Sequence, residues 1–338
     1  MSKTARNFLI ATLISIITLL VVLKFSDFSK TVDYIVGADP VWLLTALLMT
    51  ILTWTFETLT IKVFAQESEL KISFAYLFRI TLIGRFFSAI TPFYTGGQPA
   101  QVAYMAKDKH SAGIATSMLV SRFVVYQIVI TIFGVAGMLA AYSFVSKEIS
   151  NLALLAIVGF LINSGVLVFL FLFSLNKKFA GGMAKLFFDI LARLRLIKNS
   201  KTLLNKLFLE VDKFHNSMKK SLENTGKFFA GMLFAFLQML AFISTPYFVA
   251  LAVGINVDYL RLISVQLVLF LISSMIPTPG ASGASEGVFV LFFASMLNEK
   301  TAAVMILWRL FTYYINIIVG GFFSFLGTKQ NTGITSHQ

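Results

Sequence analysis

The chain has 338 residues, 57% hydrophobic and 13% charged, with a mean hydropathy of +0.83. A soluble domain of this length has nowhere to bury so much apolar surface, so the composition excludes a soluble protein and implies an all-α polytopic membrane bundle. The formal net charge is +13 and cysteine is absent, which excludes disulfides, thiolate metal sites and cysteine nucleophiles.

Residues 8–23 form an apolar run between Lys3/Arg6 and Lys24. No small-residue cleavage site follows, so the run reads as a retained first span. Further apolar stretches lie at 41–65, 113–141, 151–174, 227–253 and 301–327, each able to supply the ~20 residues a bilayer core requires. Two other regions, 72–107 and 259–297, are apolar but interrupted. The first is broken by "ITPFYTGGQPAQV" (90–102) and the second by "IPTPGASGASEG" (276–287).

Between Lys177 and Lys227 lie 12 of the 28 basic residues, which makes this segment cytoplasmic by the positive-inside rule. It also has helical stripes. Met183, Leu186, Phe187, Ile190, Leu191, Leu194 and Ile197 form one, and Leu203, Leu204, Leu207, Phe208, Val211 and Phe214 another. Over 178–224 the expectation is one or two amphipathic helices on the anionic inner leaflet; a solvated linker remains the alternative. Following the charges outward from this loop puts both termini in the cytoplasm. It also makes 72–107 a hairpin entering from inside and 259–297 a hairpin entering from outside. The short second arm, 99–107, favours a re-entrant form.

The two breaks share letters at a separation of 187 residues: Thr91/Thr278, Pro92/Pro279, Thr95/Ser282 and Gly96/Gly283. Arg122/Arg309, Tyr126/Tyr313 and Gly134/Gly321 fall in the same register. The pattern implies a duplication, with a first repeat at about 41–141 and a second at about 227–327. The charge-derived topology makes the repeats inverted, as in transporters whose broken helices meet near the midplane.

Several residues could carry chemistry. A guanidinium inside a span costs at least ~2.5 kcal/mol, so Arg122 and Arg309 should face the interior and be paired. They read either as phosphate clamps or as structural bridges to Glu57, Glu286 or hairpin carbonyls. Arg85 is a third clamp or a snorkelling residue. Glu286 follows a glycine-rich turn and reads as a helix cap or as a gate beside Arg309. Glu57 would be protonated or paired. Thr91, Thr95, Gly96, Gly97, Gln98, Thr278, Gly280, Ser282 and Gly283 offer neutral donors and close backbone approach to an anionic headgroup, or merely pack the hairpins. Pro92 and Pro279 shape the tips, and Tyr126 and Tyr313 support the arginines. His110, His215 and His337 lie too far apart to suggest a metal centre. No nucleotide motif, nucleophile elbow or paired soluble acid and base is present. No cofactor, nucleic acid or catalytic residue is expected.

"TPFYTGGQPAQVAYM", "SRFVVYQIVITIFG" and "IPTPGASGASEGVFVLFF" resemble the signatures of a flippase-like membrane family related to the transmembrane region of lysylphosphatidylglycerol synthase, also called multiple peptide resistance factor. The likeness covers nearly the whole chain, and its matched positions are Thr91–Gln101, Arg122, Tyr126, Pro277–Glu286 and Arg309. It implies a plasma-membrane lipid translocase of about eight spans with inverted re-entrant helices. In full-length relatives it moves lysylphosphatidylglycerol outward and so protects against cationic antimicrobial peptides. "PGASGASE" is richer in small residues than the family's "PGG"-type tip. Only eleven residues follow Gly327, so the soluble acyltransferase domain of the synthases is not expected. Membrane phospholipids are the expected partners, with a separate lipid-modifying enzyme or a non-transporting scaffold role as alternatives. A homodimer is left open.

Overall fold

A computed structural model of the protein describes residues 27–67, 72–145, 150–193 and 201–326. The expected first span at 8–23, Leu194 and Ile197 of the first stripe, and residues 327–338 lie outside the described residues. Among the described residues the architecture is helical, without a strand. In chain order the helices are α1 (Phe28–Val36), α2 (Pro40–Glu67), α3 (Phe74–Ala89), α4 (Gly97–Lys107), α5 (Ala112–Val145), α6 (Ser150–Leu175), α7 (Lys177–Arg193), α8 (Lys201–Glu223), α9 (Thr225–Ala252), α10 (Tyr259–Ser273), α11 (Ala284–Leu297), α12 (Thr301–Arg309) and α13 (Ile315–Phe325). A π-helical turn, Leu310–Tyr314, joins α12 to α13.

Short polar side chains start these helices. Ser73 accepts from the Tyr76 N–H at 3.2 Å, Asn224 from Lys227 at 3.1 Å and Asp258 from Arg261 at 2.7 Å. Each satisfies one of the orphan donors of a first turn. Four runs are long and apolar enough to cross a bilayer: Pro40–Gln66, Ala112–Gly137, Thr225–Ala252 and Ala284–Phe325. The fourth is interrupted at Asn298, whose φ is 48°. The rod of α12, π turn and α13 that follows is roughly 37 Å long at 1.5 Å per residue, enough to span alone.

The same order of elements occurs twice. A 28-residue helix (α2, α9) precedes a 16- or 15-residue helix (α3, α10), a break, an 11- or 14-residue helix (α4, α11) and a long rod. α2 and α9 lie side by side. One apolar core gathers α10, α11 and α12 around Phe289, Phe293 and Trp308, and a second gathers α3, α5 and α9 around Ile80, Met118 and Met239.

The basic segment forms two helices, which divide their tasks. Phe214 and Met218 of α8 are buried against Val120 and Val124 of α5, so part of the second stripe meets protein. Glu210 accepts from Ser111 Oγ at 2.7 Å and from the Gly113 N–H at 2.5 Å, capping α5 from the side. On α7, Met183, Leu186, Phe187 and Ile190 stay exposed. α1 has no counterpart in the sequence reading. It is a short helix whose Tyr34 hydroxyl donates to Glu299 at 2.7 Å, tying it to the turn before α12.

Candidate functional site

The prolines end α3 and α10 early and leave two irregular tips, which meet. Pro92 and Pro279 face each other as an isolated antiparallel bridge. Both tips turn through the left-handed region at equivalent places: Phe93 and Tyr94 at φ 54° and 57°, Gly280 and Ala281 at φ 57° and 52°. Three of these four are not glycine, a strained choice that the surrounding contacts must hold in place. The contacts come from the opposite half. Tyr94 donates its hydroxyl to the Gly280 carbonyl at 2.7 Å, and Tyr313 donates to the Ala89 carbonyl at 3.3 Å. Carbonyls left over at broken helix ends thus find partners without water, as a low-dielectric setting requires. At Gly280 any side chain would land on the Tyr313 ring, and at Gly97 it would collide with Ser88 and the Gly84 carbonyl, so both approaches need glycine.

The neutral hydroxyls of the tips are largely used locally. Thr91 donates to Phe87 O at 2.7 Å and accepts from the Gly96 N–H at 2.8 Å. Thr95 donates to Pro92 O, and Thr278 to Ser282 O. Ser282 is buried, and Gln98 sits half-buried in the first turn of α4. The two tips differ in exposure: Phe93 and Tyr94 are exposed, whereas Pro279 to Ser282 are buried.

The charged residues form two clusters. In the first, Glu57 of α2 is shared by two arginines. Arg85 of α3 reaches its Oε2 through Nε at 2.7 Å, and Arg122 of α5 reaches its Oε1 at 2.8 Å. The Arg122 side chain is 9% exposed and that of Arg85 21% exposed, so only Arg85 keeps access to space outside. In the second, Arg309 lies 2.9 Å from Glu286 Oε1, with side chains 4% and 3% exposed. The other oxygen, Oε2, accepts from the Gly283 N–H at 2.8 Å, so Glu286 is cap and counter-ion together. Tyr126 lies under the Arg122 guanidinium at 5.0 Å and Tyr313 under Arg309 at 5.2 Å, a cation–π arrangement.

The structure therefore brings Arg85, Arg122 and Glu57 together at one place and Arg309, Glu286, Gly280 and Tyr313 at another. Three guanidinium groups face two carboxylates. Their hydrogen-bonding capacity is not filled either. Arg122 Nε, Arg309 Nε and Arg309 NH2 are buried without a hydrogen-bond acceptor among the described residues. The Arg309–Glu286 approach is close enough for an ion pair, but its N–H is not aimed at the oxygen. Unfilled buried donors on a cation are costly, and an incoming oxyanion would satisfy them.

The π turn immediately after Arg309 releases backbone carbonyls from the helical ladder, a feature common at functional sites. Side chains take them up. Thr50 bonds Phe311 O at 3.2 Å and Asn316 Nδ2 bonds Thr312 O at 2.6 Å, while Trp54 Nε1 holds Asn316 Oδ1 at 2.7 Å. Beside this turn a narrow cleft of about 10 Å³, room for about one water, is lined by Thr50, Thr53, Thr245, Thr312, Asn316 and Arg85, among others.

A family model described as the lysylphosphatidylglycerol synthase TM region matches residues 8–320. The chain belongs to that family. It is a membrane protein, similar over most of its length to two curated proteins, each named "UPF0104 membrane protein". One, from Archaeoglobus fulgidus, is 23% identical over 322 residues, covering 92% of this chain and 94% of the relative. The other, from Methanothermobacter thermautotrophicus, is 22% identical over 306 residues, covering 85% and 86%. Within the lysylphosphatidylglycerol synthase transmembrane family, this chain's tips and paired arginines are thus the features on which a function can be built. Tyr94, the π turn, the Trp54–Asn316 pair and the Glu210 cap were not singled out from the sequence. Tyr94 could have been, as an aromatic inside a tip otherwise made of turn residues; the other three carry no local signal.

Proposed function

We propose that the chain is a plasma-membrane lipid translocase, flippase- or scramblase-like, that moves a phosphate-bearing lipid headgroup past the meeting point of two re-entrant hairpins. On this reading the hairpins enter from opposite faces as halves of an inverted repeat, both termini are cytoplasmic, and α7 and α8 lie on the cytoplasmic side. The observation that carries the reading is the imbalance of three arginines against two glutamates, in one cluster on α2, α3 and α5 and a second beside the tip that precedes α11. A bare phosphate in hydrocarbon costs tens of kcal/mol. A route lined by incompletely satisfied guanidinium groups lowers that barrier while the tails remain in lipid. In the relatives named after lysylphosphatidylglycerol synthase the corresponding lipid would be aminoacylated, and moving it outward would oppose cationic antimicrobial peptides. Two tips joined through side chains suit an occluded step of alternating access.

The test is leaflet exchange. Protein is reconstituted into liposomes carrying fluorescent phosphatidylglycerol in both leaflets, and dithionite is added outside. Wild type should bleach nearly all the label, whereas the Arg122→Ala/Arg309→Ala variant, checked for monodisperse elution, should stop near the about-half level set by a static bilayer. If wild type also stops there with every phosphate-bearing lipid tried, translocation is refuted. A second reading, a membrane scaffold, is favoured by the exposed apolar stripe on α7. It would require deletion of 178–224 to abolish function while the arginine variant retained it.

A further inference from the structure

Asn176 separates α6 from α7 and turns the chain. Its N–H donates to Leu172 O at 3.0 Å, closing α6, and its Oδ1 accepts from the Phe179 N–H at 3.0 Å, capping α7. In one continuous helix Phe169 and Phe179 would be separated by about 15 Å along the axis. Their rings lie 5.9 Å apart, edge to face, so α7 leaves the axis of α6 at Asn176 instead of extending it.

One side of α7 meets protein. Ala180 and Phe188 are buried, Gly181 faces the Phe208 ring of α8, and Lys177 Nζ pairs with Asp212 of α8 at 2.9 Å. About a third of a turn round the helix, Met183, Leu186, Phe187 and Ile190 form an exposed stripe at the spacing of one helical face. This stripe continues an uncovered apolar surface on α6, where Val168, Phe169, Leu172 and Leu175 are also exposed. Because α6 occupies the span expected at 151–174, that surface faces acyl chains, and the stripe on α7 meets it at the end of the span.

The charges fit the same occupant. α7 carries Lys177, Lys178, Lys185 and Arg193 against one acid, Asp189. Arg193 flanks the stripe, while Lys178 and Lys185 lie farther round on the open side of the helix. All remain within the roughly 8–10 Å over which a charged surface attracts at physiological salt. An apolar stripe beside surplus positive charge, at the end of a span, is the pattern of a helix lying in the plane of an anionic leaflet.

We infer that α7 docks on the negatively charged headgroup layer of the same bilayer, with Met183, Leu186, Phe187 and Ile190 at the acyl boundary. α8 is excluded from this role where Phe214 and Met218 are committed to α5. α7 is therefore a brace. Its stripe rests on lipid, its other side holds α8, and α8 caps α5, the helix of Arg122, through Glu210. The inference requires no transport, so it stands or falls apart from the translocase reading.

The test uses single labels, which the absence of native cysteine allows. Phe187→Cys, in the stripe, and Lys185→Cys, on the open side, each take one fluorophore. The labelled full chain is placed in nanodiscs of phosphatidylcholine with or without about 30% phosphatidylglycerol. Quenching is measured with acrylamide from water and with lipids bearing a nitroxide high on the acyl chain. In anionic discs the label at 187 should be quenched at least about fivefold more than that at 185 by the nitroxide lipid, and at least about fivefold less by acrylamide. Adding Lys178→Gln, Lys185→Gln and Arg193→Gln to the Phe187→Cys chain should raise acrylamide quenching about threefold in anionic discs and leave it unchanged in neutral ones. All these positions are exposed, so the fold is retained. Equal acrylamide access at 187 and 185 overturns the docking. Protection of 187 from both quenchers overturns it too, because a second copy or another protein then covers the stripe. Quenching at 187 that ignores both phosphatidylglycerol and the three basic residues overturns the anionic preference.

Discussion

Glu57 is shared by two arginines, and its removal gives the sharpest test of the buried cluster. Glu57→Gln keeps the volume but leaves Arg85 and Arg122 without a counter-ion. Breaking a buried pair by deleting one partner costs about 3–5 kcal/mol, because the remaining charge is stranded. Most of that falls on Arg122, whose side chain is 9% exposed; Arg85, at 21%, can be partly hydrated. Unfolding entropy of about 2.1 cal/mol/K per residue amounts to roughly 0.7 kcal/mol/K for a chain of this length, so the midpoint in detergent should fall by about 4–7 °C. Arg122→Gln should cost less, about 1–3 kcal/mol, because Glu57 still has Arg85. The double variant Glu57→Gln/Arg122→Gln should recover at least half of the Glu57→Gln loss. Thermal unfolding of the four proteins, by intrinsic fluorescence in one detergent without added lipid, closes the double-mutant cycle. A loss below about 1 kcal/mol for Glu57→Gln, or a double variant no better than the single, would refute the idea that this carboxylate neutralises both arginines.

Gly280→Ala should cost more than the ~1 kcal/mol of a left-handed alanine, since the new methyl also meets the Tyr313 ring; a drop of several degrees, with loss of lipid exchange, is the expected readout. Glu210→Ala should remove the side-on cap of α5, costing about 1 kcal/mol, and hydrogen exchange at residues 112–116 should accelerate by about fivefold. For Glu210 partial burial pushes the carboxyl up, but hydrogen bonds from Lys213, Ser111 and the Gly113 N–H outweigh it and hold the carboxyl below its usual range. Its contribution is therefore complete above the ordinary carboxylate pKa and lost as pH falls below it, so wild type and Glu210→Ala should converge in stability in that acid range and differ at neutral pH.

What the sequence made legible follows from what membranes forbid. Long apolar runs have few alternatives to spans, so α2, α5, α6, α9 and the final rod fall within a few residues of the stretches read from hydropathy. Arg122, Arg309 and their tyrosines stood out because charge at such depth must be paired. Which carboxylate pairs with which arginine was not legible. Arg122 finds its acid on α2, whereas Arg309 finds its own on α11, and at the 187-residue separation Glu57 corresponds to Ser244, a residue without charge. The order of helices recurs, but the placement of the acids does not. The same holds for the π turn: Arg122 sits in a regular helix and Arg309 at the edge of a turn whose freed carbonyls accept from Thr50 and Asn316, and the Thr50–Phe311 and Trp54–Asn316 bonds that fix this arrangement span 261 and 262 residues, so no local pattern announces them. The fate of the amphipathic stripes was equally a tertiary matter. Periodicity shows that an apolar face exists on α7 and on α8, but only packing decides that Phe214 and Met218 meet α5 while Leu186 and Phe187 remain uncovered. The asymmetry between the two halves is thus what was least readable: one shared carboxylate, one buried tip and one π turn distinguish two sets of helices that follow the same order, and each depends on contacts that only the fold brings together.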